Sequence, residues 1–276
     1  MIKIIISVLT INVVLAIGVD GLKIPLNPVS MKNGKTSQVG INYMSKLFEG
    51  NSFIQYNSLS WIPGISGQSI NWKNGDGFFK YLSVSSISDD EVYLHGELPN
   101  DNSNVKLPAT LYSSSILISS KVKTYDLAFE LNSFLSRLYY EKKYGILVNL
   151  IFSKHFKENN YASITVKNIG ILDDKIKFEY PEGMLFKYER SFRNKTYLIG
   201  LGLDYISDNY SSFAYIGLNK SYISVNIAID YNSNDDLGYF GDINIHYKNL
   251  TVGYGHASPL FESAKSPKII SLKYNF

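Results

Sequence analysis

Polar and apolar residues alternate with a period of two along much of this chain, and the pattern is clearest at the carboxyl terminus. One face carries Ile270, Leu272, Tyr274 and Phe276, and the other carries Ser271, Lys273 and Asn275. Successive side chains of a strand point to opposite faces. The pattern therefore predicts a final strand with one apolar and one polar face.

The same alternation recurs upstream in segments 125–131, 197–205, 223–231 and 242–247. Their polar faces hold acidic and amide side chains, which would be costly in the dry centre of a soluble sandwich. Such residues cost little against a hydrated lumen. The chain is therefore predicted to be all-β, a transmembrane antiparallel β-barrel with its apolar face toward lipid. A terminal aromatic such as Phe276 is typical of the last strand of outer-membrane barrels, and this strand is predicted to engage the barrel-assembly machinery.

Turn residues separate the alternating segments. Asn74-Gly75 is a strong hairpin signal, because both residues accept positive φ. Further polar breaks occur at 100–104, 159–160, 173–174, 207–209 and 232–236. Counting the segments between breaks predicts about 14 strands, with about 12 or about 16 as the even-numbered alternatives. Segment 134–144 fits either a strand or a short amphipathic helix.

The amino terminus has the features of a secretory signal peptide over residues 1–18. Lys3 supplies a positive charge, Ile4 to Ile17 is largely apolar, and Ala16-Ile17-Gly18 offers small residues for cleavage. An apolar first strand and a membrane anchor are the alternatives, but an anchor needs about 20 apolar residues. Residues 19–276 are predicted to form one outer-membrane barrel domain, in which 19–37 is a short plug-like segment.

Composition supports a membrane barrel and limits the chemistry. The 22 tyrosines and 15 phenylalanines suit aromatic girdles at the lipid–water boundary, and Trp61, Trp72 and Tyr81 are predicted girdle residues. The absence of cysteine excludes disulfides, thiolate metal sites and a lipoprotein anchor. A net charge of +3 without a basic, aromatic-rich patch does not indicate nucleic acid as a partner.

The four histidines do not fall in a recognisable catalytic motif. His246 is predicted to share a polar face with Asp242 and Asn244, where lumen polarity explains it. His155 is expected at a strand end or in a loop, and His256 near a turn. The acidic segments 89–91 and 232–236 lack the ligand spacing of a calcium-binding loop. We therefore expect no catalytic residue, no cofactor, no metal site and no enzymatic activity.

Several short strings, taken in order, resemble the PorV/PorQ family of outer-membrane proteins, which are related to FadL-type transporters of hydrophobic compounds. They are Asn27-Pro28, the segment 52–65 with Trp61, the segment 79–88, the Lys167-Asn168-Ile169-Gly170 string and the segments 241–255 and 269–276. The resemblance implies a barrel of the predicted size and marks Asn27, Pro28, Lys167, Asn168 and Gly170 as family-motif or plug candidates. Val29 and Ser30 depart from the family pattern, and the segment before Asn27 is short.

Two functions follow from the resemblance. The first is a non-enzymatic accessory component of type IX protein secretion, which binds secretion-system proteins or secreted cargo. The alternative is a FadL-like transporter of small hydrophobic compounds. In either case the expected location is the outer membrane of a Gram-negative type bacterium, with membrane lipid as a further partner.

Overall fold

A computed structural model describes the chain in segments 52–60, 65–75, 78–89, 109–138, 141–156, 159–172, 183–194, 196–206, 209–232, 237–257 and 266–276. The predicted signal peptide (1–18), the plug-like segment (19–37) with Asn27 and Pro28, and Trp61 lie outside the described residues.

The described residues form fourteen strands, which confirms the predicted number. They are β1 (Phe53–Ser60), β2 (Ile65–Lys73), β3 (Phe79–Asp89), β4 (Ala109–Val122), β5 (Tyr125–Leu138), β6 (Glu141–Phe156), β7 (Asn160–Leu172), β8 (Gly183–Phe192), β9 (Tyr197–Ile206), β10 (Asn209–Asn219), β11 (Ile223–Asn232), β12 (Leu237–Tyr247), β13 (Leu250–Ala257) and β14 (Lys268–Asn275). The helical alternative for segment 134–144 is wrong, because β5 continues to Leu138 and β6 starts at Glu141.

Each strand pairs with its neighbours in sequence, and β1 pairs with β14 to close the barrel. All pairings are antiparallel, and the closing register runs from Phe53 opposite Asn275 to Ser60 opposite Lys268. The carboxyl-terminal strand therefore completes the sheet, and closure removes the two edge strands that an open sheet of the described residues would have.

The two ends of the barrel differ in their connections. At the end that holds Phe53 and Asn275, the connections between strands are short, and Lys123, Arg193, Asn194 and Lys248 in them have positive φ. The longest connections, residues 90–108, 173–182 and 258–267, all join strands at the opposite end. We call these the turn end and the loop end.

The outer surface carries a broad apolar band. On β9 the outward residues are Tyr197, Ile199, Leu201, Leu203 and Tyr205, and Leu203 is 58% exposed. Ile270, Leu272 and Tyr274 of β14 also face outward, as predicted, with Ile270 59% exposed. Exposed apolar side chains in this number are stable against lipid rather than water. No helix among the described residues is long and apolar enough to span a membrane.

Aromatic residues with stacked cations surround the turn end. Lys154 lies over Tyr125 at 4.7 Å, Arg190 over Phe192 at 4.8 Å and Lys248 over Tyr247 at 5.5 Å from the ring centroids. Trp72 alternates with the buried Asn71 and Lys73 and so lies on the outer face, as the girdle prediction requires. The girdle prediction for Tyr81 is wrong. Tyr81 is only 5% exposed, because its register opposite Lys73 and Leu117 turns its ring into the barrel.

Candidate functional site

The inner wall of the barrel is lined by buried polar side chains that hydrogen-bond across strands. On β1 to β3, the Asn57 amide donates to Ser69 at 2.8 Å and the Ser83 hydroxyl donates to Asn71 at 2.6 Å. On β5 and β6, the Asn149 amide donates to the Glu130 carboxylate at 2.5 Å. Charged and amide side chains thus lie inside the barrel, as the alternation in the sequence predicted, and here they are buried and hydrogen-bond to one another.

One ion pair on this wall reaches across a strand. The Lys167 ammonium on β7 donates to the Asp204 carboxylate on β9, and both side chains are buried. The intervening strand β8 places Gly183 opposite Lys167. Because Asp204 lies opposite Leu185 of the same strand, the pair crosses β8 diagonally.

The predicted motif residues around Lys167 form a β-bulge. The register between β6 and β7 shifts so that Lys167 and Asn168 together oppose Asn149. After this bulge the alternation reverses, and Ile169 faces outward at 41% exposure. Bulges re-aim side chains and are common beside functional sites.

Gly170 follows the bulge opposite Leu147. A Cβ at Gly170 would collide with the Ile146 carbonyl oxygen and the Leu147 side chain, so a close approach of the two strands requires glycine here. The structure brings Lys167, Asn168 and Gly170 together on β7. It does not bring them next to the predicted assembly residues of β14, which lies seven strands away around the barrel.

A second cluster, missed by the sequence reasoning, occupies β8 to β10. The Tyr215 hydroxyl donates to Glu189 at 2.5 Å, and Lys187 pairs with the same carboxylate at 3.4 Å. The Tyr215 ring lies over Gly200, and the Phe213 ring lies over Gly202. The two glycines of β9 were visible in the sequence, but the rings that cover them belong to the neighbouring strand.

His246 lies on the inner wall, as predicted, and its two ring nitrogens contact the hydroxyls of Thr251 and Ser224 at 3.0 and 3.2 Å. Asp242 accepts hydrogen bonds from the Asn226 and Asn244 amides, each at 2.6 Å. His155 lies near the end of β6, as predicted, with its ring nitrogen 3.4 Å from Asp126. The predicted lack of enzymatic activity stays a prediction.

His256 belongs to β13, next to that strand's last residue, Ala257, and its ring lies 6.0 Å from that of Tyr239. Within the described segments, no group of three or more histidine, aspartate or glutamate side chains is placed to hold a metal ion.

Polarity is reversed at the loop end of β1 to β3. There the inward positions are apolar, with Leu59 and Ile87 each 2% exposed, and Leu111 on β4 and Ile269 on β14 continue this surface. The outward positions at the same height are polar: Ser58, Ser60, Ser66, Gln68, Ser86 and Ser88. The register places Ser58, Gln68 and Ser86 in one outward row.

The reversal divides the inner wall into two regions. Toward the turn end, the inner faces of these strands carry polar residues such as Asn57, Ser69 and Ser83. Toward the loop end they carry apolar residues, which we call the inner apolar surface (Leu59, Ile65, Ile87, Leu111, Ala257 and Ile269). The outer side of β1 to β3 at this end, with serines in place of the apolar band, is suited to water rather than to hydrocarbon.

No protein-family model matches the chain, and no curated protein matches it. Among solved structures, the toluene transporter TodX of Pseudomonas putida is similar over 82% of this chain and 89% of its own, with a TM-score of 0.60 and 5% identity. The TodX deltaS2S3 mutant, a monoaromatic hydrocarbon channel, is similar over 91% of this chain and 99% of its own, with a TM-score of 0.61 and 8% identity. At these identities the likeness concerns the fold. The chain therefore has the closed, fourteen-stranded antiparallel fold found in outer-membrane β-barrel channels.

Proposed function

We propose that this protein is an outer-membrane channel that takes up small hydrophobic molecules, the alternative raised by the FadL-like resemblance. The observation that carries the proposal is the inner apolar surface at the loop end. A barrel that passes polar solutes has no physical need for Leu59, Ile87 and Ile269 on its inner wall. A hydrophobic molecule, in contrast, gains free energy by leaving water for such a surface.

Two features, the position of the inner apolar surface and the fold, support this orientation and role. In bacterial outer-membrane barrels, the short turns face the periplasm and the longer loops face the outside. The inner apolar surface then lies on the outer side, where a substrate first meets the protein. The side chains of this surface are buried in the described conformation, so a ligand must displace them to enter. The fold is also shared with a toluene transporter.

The experiment compares two adjacent residues that face opposite ways. Ile87 points inward and Ser86 outward on β3. A deletion strain is complemented with wild type, Ile87→Asn or Ser86→Asn, and uptake of a radiolabelled monoaromatic hydrocarbon is measured. The expected result is loss of uptake on deletion, rescue by wild type and Ser86→Asn, and poor rescue by Ile87→Asn. Equal uptake in all strains would exclude the proposed transport.

A second candidate is the accessory role in type IX secretion implied by the PorV/PorQ resemblance. It is favoured by the polar outer strip at the loop end, whose serines could contact a protein above the membrane, and by the bulge at the Lys167-Asn168 string. This role predicts that the barrel co-purifies with cargo or secretion-system proteins, and that its deletion leaves cargo unattached while hydrocarbon uptake is unchanged. The two roles therefore give opposite results in the same deletion strain.

A further inference from the structure

A groove of about 880 Å³ crosses the outer surface of the barrel from β5 to β12. It lies between two outward rows of side chains in the register of the sheet. One row contains Ala162, Tyr188, Leu201 and Ala214, and the other contains Ile164, Phe186, Leu203 and Ser212. Since these side chains point away from the lumen, the groove is separate from the inner apolar surface.

Small side chains create the depression. Ala162 on β7 and Ala214 on β10 lie in the same register row as the large Tyr188 and Leu201 on the strands between them. The lining is almost entirely apolar. A groove of this composition in the lipid-facing band is suited to a hydrocarbon chain.

Among the described residues that line the groove, Lys154 at the turn end is the lysine whose side chain faces outward, whereas Lys187 is buried on the inner wall beside Glu189. Lys154, near the end of β6, lines the groove, and its ammonium lies 4.7 Å from the Tyr125 ring centroid and 5.0 Å from that of Phe156. It also donates a hydrogen bond to the Tyr125 hydroxyl at 3.1 Å. These contacts hold a positive charge at the level of the aromatic girdle, where the head groups of the adjacent leaflet lie.

We propose that this groove is a binding site for one phospholipid of the periplasmic leaflet. Its acyl chain occupies the groove, and its phosphate pairs with Lys154. The charge of Lys154 complements the phosphate, and the apolar lining complements the chain. Register rows cross the strands, so the groove climbs from Lys154 at the turn end of β6 toward Tyr231 near the loop end of β11, which gives the chain its path through the band.

The test is native mass spectrometry of full-length protein purified in mild detergent, which detects lipids that survive extraction. Wild type should carry one phospholipid. Lys154→Gln should lower the fraction of protein that carries this lipid about tenfold. Lys248→Gln is the matched control, because Lys248 also lies over a girdle tyrosine but does not line the groove. Ala214→Phe should remove the lipid by filling the groove, and Val252→Phe, an outward residue on β13 away from the groove, should not.

Gel migration before and after heating shows whether each variant is a closed barrel, so loss of lipid can be separated from loss of fold. The proposal is overturned if wild type carries no phospholipid. It is also overturned if Lys248→Gln lowers occupancy as much as Lys154→Gln does, or if the bound molecule is lipopolysaccharide, which belongs to the opposite leaflet. Added inorganic phosphate should not displace the lipid. If it does, the site binds free phosphate rather than a lipid, and the proposal is again overturned.

Discussion

Lys167 and Asp204 form a buried ion pair that crosses the intervening strand β8 diagonally. The pair ties β7 to β9 on the inner wall and lies beside the bulge at Lys167 and Asn168. Removing one partner would leave a buried charge without its counter-ion, which costs far more than the net stability of an intact pair.

Asp204→Asn is therefore expected to destabilise the barrel by about 3 kcal/mol. The double variant Lys167→Met with Asp204→Leu should recover most of that loss, because it removes both charges and keeps apolar volume. Both are measured as the free energy of unfolding in urea, with the protein reconstituted in lipid vesicles. If Asp204→Asn has the same free energy of unfolding as wild type, water already solvates this ion pair, and the inner wall is hydrated at this position.

Gly200 supports the ring of Tyr215, and a Cβ at this position would collide with that ring. Gly200→Ala should displace Tyr215, weaken its hydrogen bond to Glu189 and destabilise the barrel by about 1–3 kcal/mol. The measurement is again the free energy of unfolding in vesicles.

Gly241→Ala on β12 is the matched control, since the nearest atom to its added Cβ is the Asn226 carbonyl oxygen at an ordinary 3.8 Å. Adding Tyr215→Ala to Gly200→Ala should make the glycine substitution nearly neutral. Equal destabilisation by Gly200→Ala and Gly241→Ala would mean that glycine matters through strand flexibility rather than through the ring.

The reversed polarity of β1 to β3 predicts the height on these strands at which the hydrocarbon core of the membrane ends. Leu201→Lys, in the apolar band of β9, should cost about 2–4 kcal/mol, as a lysine near the bilayer midplane does. Ser86→Lys, on the outer face of β3, should cost about 0–1 kcal/mol, because that position is predicted to face water or head groups. Unfolding free energies in vesicles give both values, and a penalty at Ser86 equal to that at Leu201 would place the serine strip inside the hydrocarbon.

The strands that could be predicted from sequence are those in which a large apolar residue recurs at every second position and faces outward. On β9 and β11 the alternation continues through the whole strand, so its period identifies both the strand and its outer face. The carboxyl-terminal strand is a third case. In these segments local pattern and final orientation agree.

The loop end of β1 to β3 could not be predicted in this way. The string Asn57-Ser58-Leu59-Ser60 alternates in the same manner whether Leu59 points into the barrel or toward lipid. Only the register with β2 and β14 decides its direction. The girdle prediction for Tyr81 is wrong for the same reason. An aromatic residue suits either face of a strand, and only its cross-strand neighbours decide which face it occupies.

The candidate site was predicted in part. Lys167 was a motif candidate in the sequence, but its pairing with Asp204 depends on the register across the intervening strand β8. The outer groove depends on small residues from separate strands that the register aligns, and a single sequence does not give that register.

Binding of a small hydrophobic fluorescent probe to the purified barrel, compared between Ile87→Asn and Ser86→Asn, tests the proposed transport function most directly. An amide on the inner apolar surface should weaken probe binding about tenfold, since it places an unpaired polar group against the ligand. The same amide at Ser86 should leave the affinity unchanged. Equal affinity in wild type and both variants would contradict a hydrophobic binding surface inside this barrel.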